Sequence, residues 1–280
     1  MVNINDNRGI TLIELVIVAL VMGIIMIGIH NIFSSQDQAA RTTSLITEMN
    51  QNLRIAEYWL TRDIRVAGYR LEGGTTSSGI GTLSAITITD SNPDQIDILY
   101  AQSDASCTVT DSMPSASAEI KVDSITGLGV DDLIIITDGT HTSLFQITGI
   151  QDAGVDRWMV QHAPGNPPGG SPYNNPGGHT DFPPGGYPAG SRLYRVVYHT
   201  YRIGTQNGIP RLEVNFHRDG GQFVPLAEYI EDLQITPTVN NSPTYTITIT
   251  ARTSLQERGL PGDGYRRKSL TWTVRMRNIP

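Results

Sequence analysis

Two hydrophobic periodicities divide the chain. From Ile10 to Ile29, twenty consecutive residues are apolar apart from Thr11 and Glu14, the length a helix needs to cross the hydrocarbon core of a bilayer. Helical spacing continues beyond that run. Leu45, Met49, Leu53, Ala56, Leu60, Ile64 and Ala67 recur every three or four residues and form one apolar stripe. No proline occurs before Pro93, and Gly68 supplies a stop signal. A single helix from Ile10 to about Arg65 is therefore expected, about 84 Å long at 1.5 Å per residue.

From Ser84 onward the period becomes two. Ile86 and Ile88 alternate with Thr87 and Thr89, and Ile96, Ile98 and Tyr100 follow the Asn92-Pro93 turn. Ile120 and Val122 precede the continuous run Leu133 to Ile136. Tyr245, Ile247 and Ile249 oppose Thr246, Thr248 and Thr250, and Leu270, Trp272, Val274 and Met276 oppose Thr271, Thr273, Arg275 and Arg277. Alternation of this kind predicts half-buried antiparallel strands. The fold class is α+β: a long N-terminal helix, transmembrane in its first half, packed under an antiparallel β-rich head. The expected divisions are a cytoplasmic leader over 1–9, a transmembrane half-helix over 10–30, its continuation under the head over 31–68, and the head over 69–280.

Inside the head, Ala163 to Gly190 is dense in Pro and Gly without a three-residue period. That excludes a collagen helix and predicts a long surface loop over 163–190, free or pinned by Tyr173, Phe182 and Tyr187. Tyr58 and Trp59, at helical spacing beside Leu60, are expected to pack at the boundary of the core.

Charge sharpens the picture at one point. A carboxylate inside a transmembrane helix costs about 2.5–3.5 kcal/mol and implies a partner. If the leader is removed after Gly9, Ile10 carries a new α-amino group, and Glu14 lies four residues along on the same helical face. An α-ammonium, its own or a neighbour's, is the matching partner, and such a buried pair would fix the axial register between packed subunits. A secretory signal would instead place small residues after the apolar run, where this chain has His30-Asn31-Ile32-Phe33. The single positive side chain of the leader, Arg8, favours a cytoplasmic leader, with the head on the far side of an inner membrane.

Arg8-Gly9-Ile10-Thr11-Leu12-Ile13-Glu14, followed by the apolar run, resembles the type IV prepilin signature. The resemblance implies cleavage after Gly9 by a prepilin peptidase, N-methylation of Ile10 and an assembly role for Glu14. The family usually carries Phe or Met where this chain has Ile10. Arg62 to Tyr69, Leu226 to Leu233 and Val274 to Asn278 resemble the PilW-type minor pilins and the related J-type minor pseudopilins of type II secretion. The implied function is a pilin-like minor subunit that primes or caps a type IV pilus. Its partners would be major and minor pilins, the prepilin peptidase, the inner-membrane assembly machinery and, through the helix, the membrane. A type II secretion pseudopilin is the alternative within that class. An adhesin or DNA-uptake subunit, gripping a ligand through the head, is the alternative outside it.

Enzymatic chemistry finds little support. The chain has no phosphate-binding loop, nucleophile elbow or His-Glu-x-x-His zinc helix, so neither a cofactor nor a metal is expected. The six histidines lack ligand spacing and are expected at the surface or in loops. Asp131, Asp132 and Asp138 are expected to serve turns rather than a cation. Cys107 stands alone, which rules out an intramolecular disulfide and leaves a half-buried thiol. A net charge of −7 opposes general nucleic-acid binding, and the only dense basic run is Arg266-Arg267-Lys268.

Overall fold

The computed structural model describes residues 11–71, 76–78, 81–82, 84–154, 157–165, 170–171, 173–174, 182–217, 221–238, 243–257 and 259–278. Among the described residues, one helix, α1 (Leu12–Val66), precedes fifteen strands. These are β1 (Thr76–Ser78), β2 (Gly81–Thr82), β3 (Ile86–Thr89), β4 (Gln95–Thr108), β5 (Ile120–Val122), β6 (Leu133–Thr137), β7 (Thr142–Gln146) and β8 (Gly149–Gly154). The remainder are β9 (Arg157–Gln161), β10 (Arg192–Gln206), β11 (Ile209–Asn215), β12 (Phe223–Glu228), β13 (Ile230–Pro237), β14 (Thr244–Arg252) and β15 (Arg267–Arg275).

The helix runs unbroken for 55 residues, and its two halves meet different surroundings. Leu12 to Phe33 is exposed throughout, whereas Met49, Leu53, Ala56, Leu60 and Ile64 are buried. The apolar stripe read from the sequence therefore faces the head from Met49 onward, while Leu45 is half-buried. The stripe packs against β4, β12, β14 and β15. At the C-terminal end, Gly68 takes φ +79°, a left-handed conformation that glycine adopts without strain. The Arg277 N–H donates to the Arg65 carbonyl at 3.1 Å and Asn278 Nδ2 to the Val66 carbonyl at 3.2 Å, so the last strand's extension satisfies carbonyls that the helix leaves open.

The strands form three sheets. In the largest, β10 is central: β4 pairs along one side of it, and β6 and then β11 pair along the other. β12 extends this sheet beyond β11, β7 beyond β6, and β3 beyond β4. All of these pairings are antiparallel; the β1–β7 pairing is parallel. The second sheet is β13–β14–β15 and the third is β5–β9–β8.

Two hydrophobic clusters result. The helix, β14 and the adjacent faces of β4 and β10 enclose the first, while β5, β7, Phe182 and Tyr187 contribute to the second. β6 serves both: Leu133 and Ile135 enter the first cluster, Ile134 and Ile136 the second. Its uninterrupted apolar run follows from burial on both faces.

Parts of the 163–190 segment lie outside the described residues; the described parts are anchored. Tyr173 Oη lies 2.9 Å from His217 Nδ1, Asn174 brackets the Gln146 backbone, and Tyr187 donates to Ser143 Oγ at 2.8 Å.

Several expectations need correction. His162 and His199 are buried at 4% and 7% exposure, because each ring finds a hydrogen-bond partner inside the head. Cys107 is fully rather than half buried, and burial pushes its thiol up to about 12, so it is not an active thiolate. Tyr58 is 62% exposed, pointing away from the core that Leu60 enters.

Candidate functional site

The N-terminal end of α1 is built from its own side chains. Thr11 takes φ −75° and ψ 150° and caps the helix. Its Oγ1 accepts from the Glu14 N–H at 3.3 Å, while Glu14 Oε2 accepts from the Thr11 N–H and from Thr11 Oγ1, both at 2.9 Å. This reciprocal capping box satisfies donors that a helix start leaves unpaired. It also holds a carboxylate at the positive end of the helix dipole.

Among the described residues the helix begins at Leu12, directly after the Thr11 cap. Gly9 and Ile10 lie outside the described residues. The carboxylate of Glu14 thus sits beside the backbone N–H of Thr11, one residue from the position where cleavage after Gly9 would create an amine.

Beyond the cap, the exposed surface is almost wholly apolar. Leu12, Ile13, Leu15, Leu20, Ile24, Met26 and Ile27 are each more than 60% exposed. α1 is the one helix among the described residues long and apolar enough to cross a membrane, and none of that window is buried against the head. A continuous apolar surface of this length requires lipid or other apolar helices around it.

Sequence reasoning missed a second polar group at the other end of the helix. Asp63 is fully buried beside Ile64. Its Oδ2 lies 2.6 Å from His199 Nδ1 and accepts from Tyr201 Oη at 2.5 Å; its Oδ1 accepts from Tyr100 Oη at 3.3 Å. Burial, reinforced by Asp63, pushes Tyr100 up to about 12 and Tyr201 higher still, so both remain phenols able to donate. A second chain lies close by. Thr200 Oγ1 donates to Asp97 at 2.5 Å and sits 2.7 Å from His217 Nε2, and burial lowers His217 to about 4.

The remaining polar candidates resolve into local structure. Asp138 Oδ1 accepts from the N–H groups of Thr140 and His141 at 2.7 and 2.6 Å, and Asp132 Oδ2 from that of Gly129 at 2.9 Å. No cluster of three metal-ligating side chains occurs among the described residues. The basic run is paired within the chain: Arg266 with Glu257 at 2.5 Å, Arg267 with Glu231 and Asp263 at 2.6 and 2.5 Å, and Lys268 with Asn50 at 2.8 Å.

Residues 4–29 match the model of the prokaryotic N-terminal methylation motif. The match spans Gly9, Ile10, Glu14 and the start of the apolar helix. No curated protein matches the chain.

Proposed function

We propose that the protein is a structural subunit of a type IV pilus, a minor pilin that primes or caps filament assembly, and not an enzyme. The single observation that carries this reading is an exposed apolar helical run, Leu12 to Ile29, that lies within a methylation motif and whose one acidic residue is Glu14. Prepilin peptidase cleaves after Gly9, and the new Ile10 amine is methylated. Before assembly the helix resides in the inner membrane with the head on the periplasmic side; during assembly it moves into a core of other pilin helices.

In that core Glu14 meets an α-ammonium. The capping geometry supports this role, because the carboxylate already lies at the level of the helix start, where its own or a neighbouring N-terminus would be found. A register slipped by one step would leave a charge buried without a partner, a penalty of several kcal/mol.

The test is intact mass and N-terminal sequencing of the protein isolated from its native membrane. The expected result is a chain beginning at Ile10 with one added methyl group. Recovery of a chain that still carries Met1 to Gly9 in its assembled state would overturn the reading.

A further inference from the structure

A cavity of about 460 Å³ opens where the last turns of α1 meet β4, β10 and β12, with Trp59, Arg62, Tyr100, His199, Phe216 and Val224 among its walls. Pilin assembly through the N-terminal helix makes no use of it. Its size falls within the range of small-molecule sites, and its composition fits one: mostly apolar and aromatic walls with a few placed polar groups.

The polar groups are held from behind. His199 is 7% exposed, and its Nδ1 faces Asp63, whose carboxylate also receives two tyrosine hydroxyls. With a carboxylate oxygen 2.6 Å away that already accepts from Tyr201, Nδ1 is the ring nitrogen that carries the proton. In the neutral ring, Nε2 is then left as an acceptor, and nothing among the described residues bonds it. The ring is further fixed by edge contacts with Tyr100 at 6.3 Å and Phe216 at 4.8 Å between centroids. Arg62 lies over the Trp59 ring at 4.7 Å, with Nε 3.4 Å from Asp63. That contact occupies only one donor of a five-donor guanidinium.

We infer that this cavity binds a small hydroxylated organic acid. Its carboxylate is received by the remaining donors of Arg62, a hydroxyl donates to His199 Nε2, and its ring or apolar body lies against Trp59, Phe216 and Val224. A carboxylate suits a planar guanidinium fixed by stacking. Asp63 acts as a positioning residue, setting the tautomer of His199 and the direction of Arg62. Two sources share this chemistry, aromatic hydroxy acids and acidic sugars.

Isothermal titration of the full chain in detergent micelles, with para-hydroxybenzoate and D-glucuronate as probes, tests the inference. At least one probe is expected to bind with a Kd of about 1 mM or tighter, and which one binds identifies the source. Arg62→Gln, a change at a half-exposed side chain that leaves the core intact, is expected to weaken binding by about tenfold or more while the melting temperature stays unchanged. Absence of binding by both probes, or binding of equal strength by the Arg62→Gln chain, would overturn the inference.

Discussion

Individual carboxylates carry most of the specificity in this chain, and they do so in opposite environments. Glu14 lies at an exposed helix start, where Thr11 and the helix dipole favour its charge. Replacing it with Ala removes half of the capping box but no apolar surface. Membrane insertion and leader cleavage should therefore persist, whereas the amount of the protein recovered in sheared filaments should fall by an order of magnitude; wild-type recovery would remove the register role. Asp63 is the contrasting case. Asp63→Ala leaves two phenols and a buried imidazole without their acceptor, at roughly 1–3 kcal/mol for each buried group left unsatisfied, so a total loss of at least about 3 kcal/mol should appear in denaturant titration. His217 adds a pH dependence. Its folded value of about 4 lies below the ordinary 6.5 because burial disfavours the charged ring. Its contribution to stability is thus complete above about pH 6.5 and is lost as pH falls toward 4, with a slope of at most about 1.4 kcal/mol per pH unit. A His217→Gln chain should show a correspondingly shallower acid destabilisation over that window. Glu14 could be found from sequence because an acid in an apolar run is conspicuous. Asp63 could not: within Arg62-Asp63-Ile64-Arg65 only Ile64 falls on the apolar stripe, and the partner of Asp63, His199, lies 136 residues away.

At the level of elements, the helix was the most legible part, since a 3.6-residue period needs no knowledge of what it packs against. Its stripe marks the core face from Met49 to Ile64, and the strands around Ile96, Ile247 and Val274 follow the period-two pattern that predicted them. The partition into three sheets was not legible, because alternation shows which face of a strand is buried but not which strand lies beside it. The Leu133–Ile136 run illustrates the limit: it is apolar on both faces because it separates two cores, and no local signal distinguishes that from a buried helical turn. The two halves of α1 should respond differently to truncation. Leu60 is fully buried, so Leu60→Ala is expected to destabilise the head by about 2–5 kcal/mol through lost burial and the cavity left behind. Ile17 is 56% exposed and remote from both cores, so Ile17→Ala should leave thermal melting in detergent unchanged. Equal effects of the two substitutions would contradict this division of the helix.

For the whole molecule, the decisive fact is that the surface which cannot face water and the surface which holds the fold together do not overlap. The helix contributes to the first hydrophobic cluster alone, and only from Met49 onward, whereas the exposed apolar residues crowd between Leu12 and Phe33. Contacts from the intervening turns to the head are polar: Thr42 donates to Glu257 at 3.1 Å, and Ser254 donates to Glu48 at 2.7 Å. Two hydrogen bonds of this kind contribute only about 0.5–1.5 kcal/mol each, so under the proposed function the exposed half of the helix is expected to change its surroundings without disturbing the head. A chain lacking residues 1–34 should consequently be soluble without detergent, sediment as a monomer at micromolar concentration and melt within a few degrees of the full chain in micelles. Deleting as far as residue 55 should behave quite differently, because Met49 and Leu53 leave with it and open the first core to water; each buried side chain of that size contributes about 1.5–3 kcal/mol. Two losses of this size are comparable to the whole stability of a marginal domain, so a cooperative melting transition should be lost. Aggregation of the shorter deletion, or normal melting of the longer one, would mean that the membrane-facing part of the helix also supports the head, and the separation of anchoring from folding would have to be abandoned.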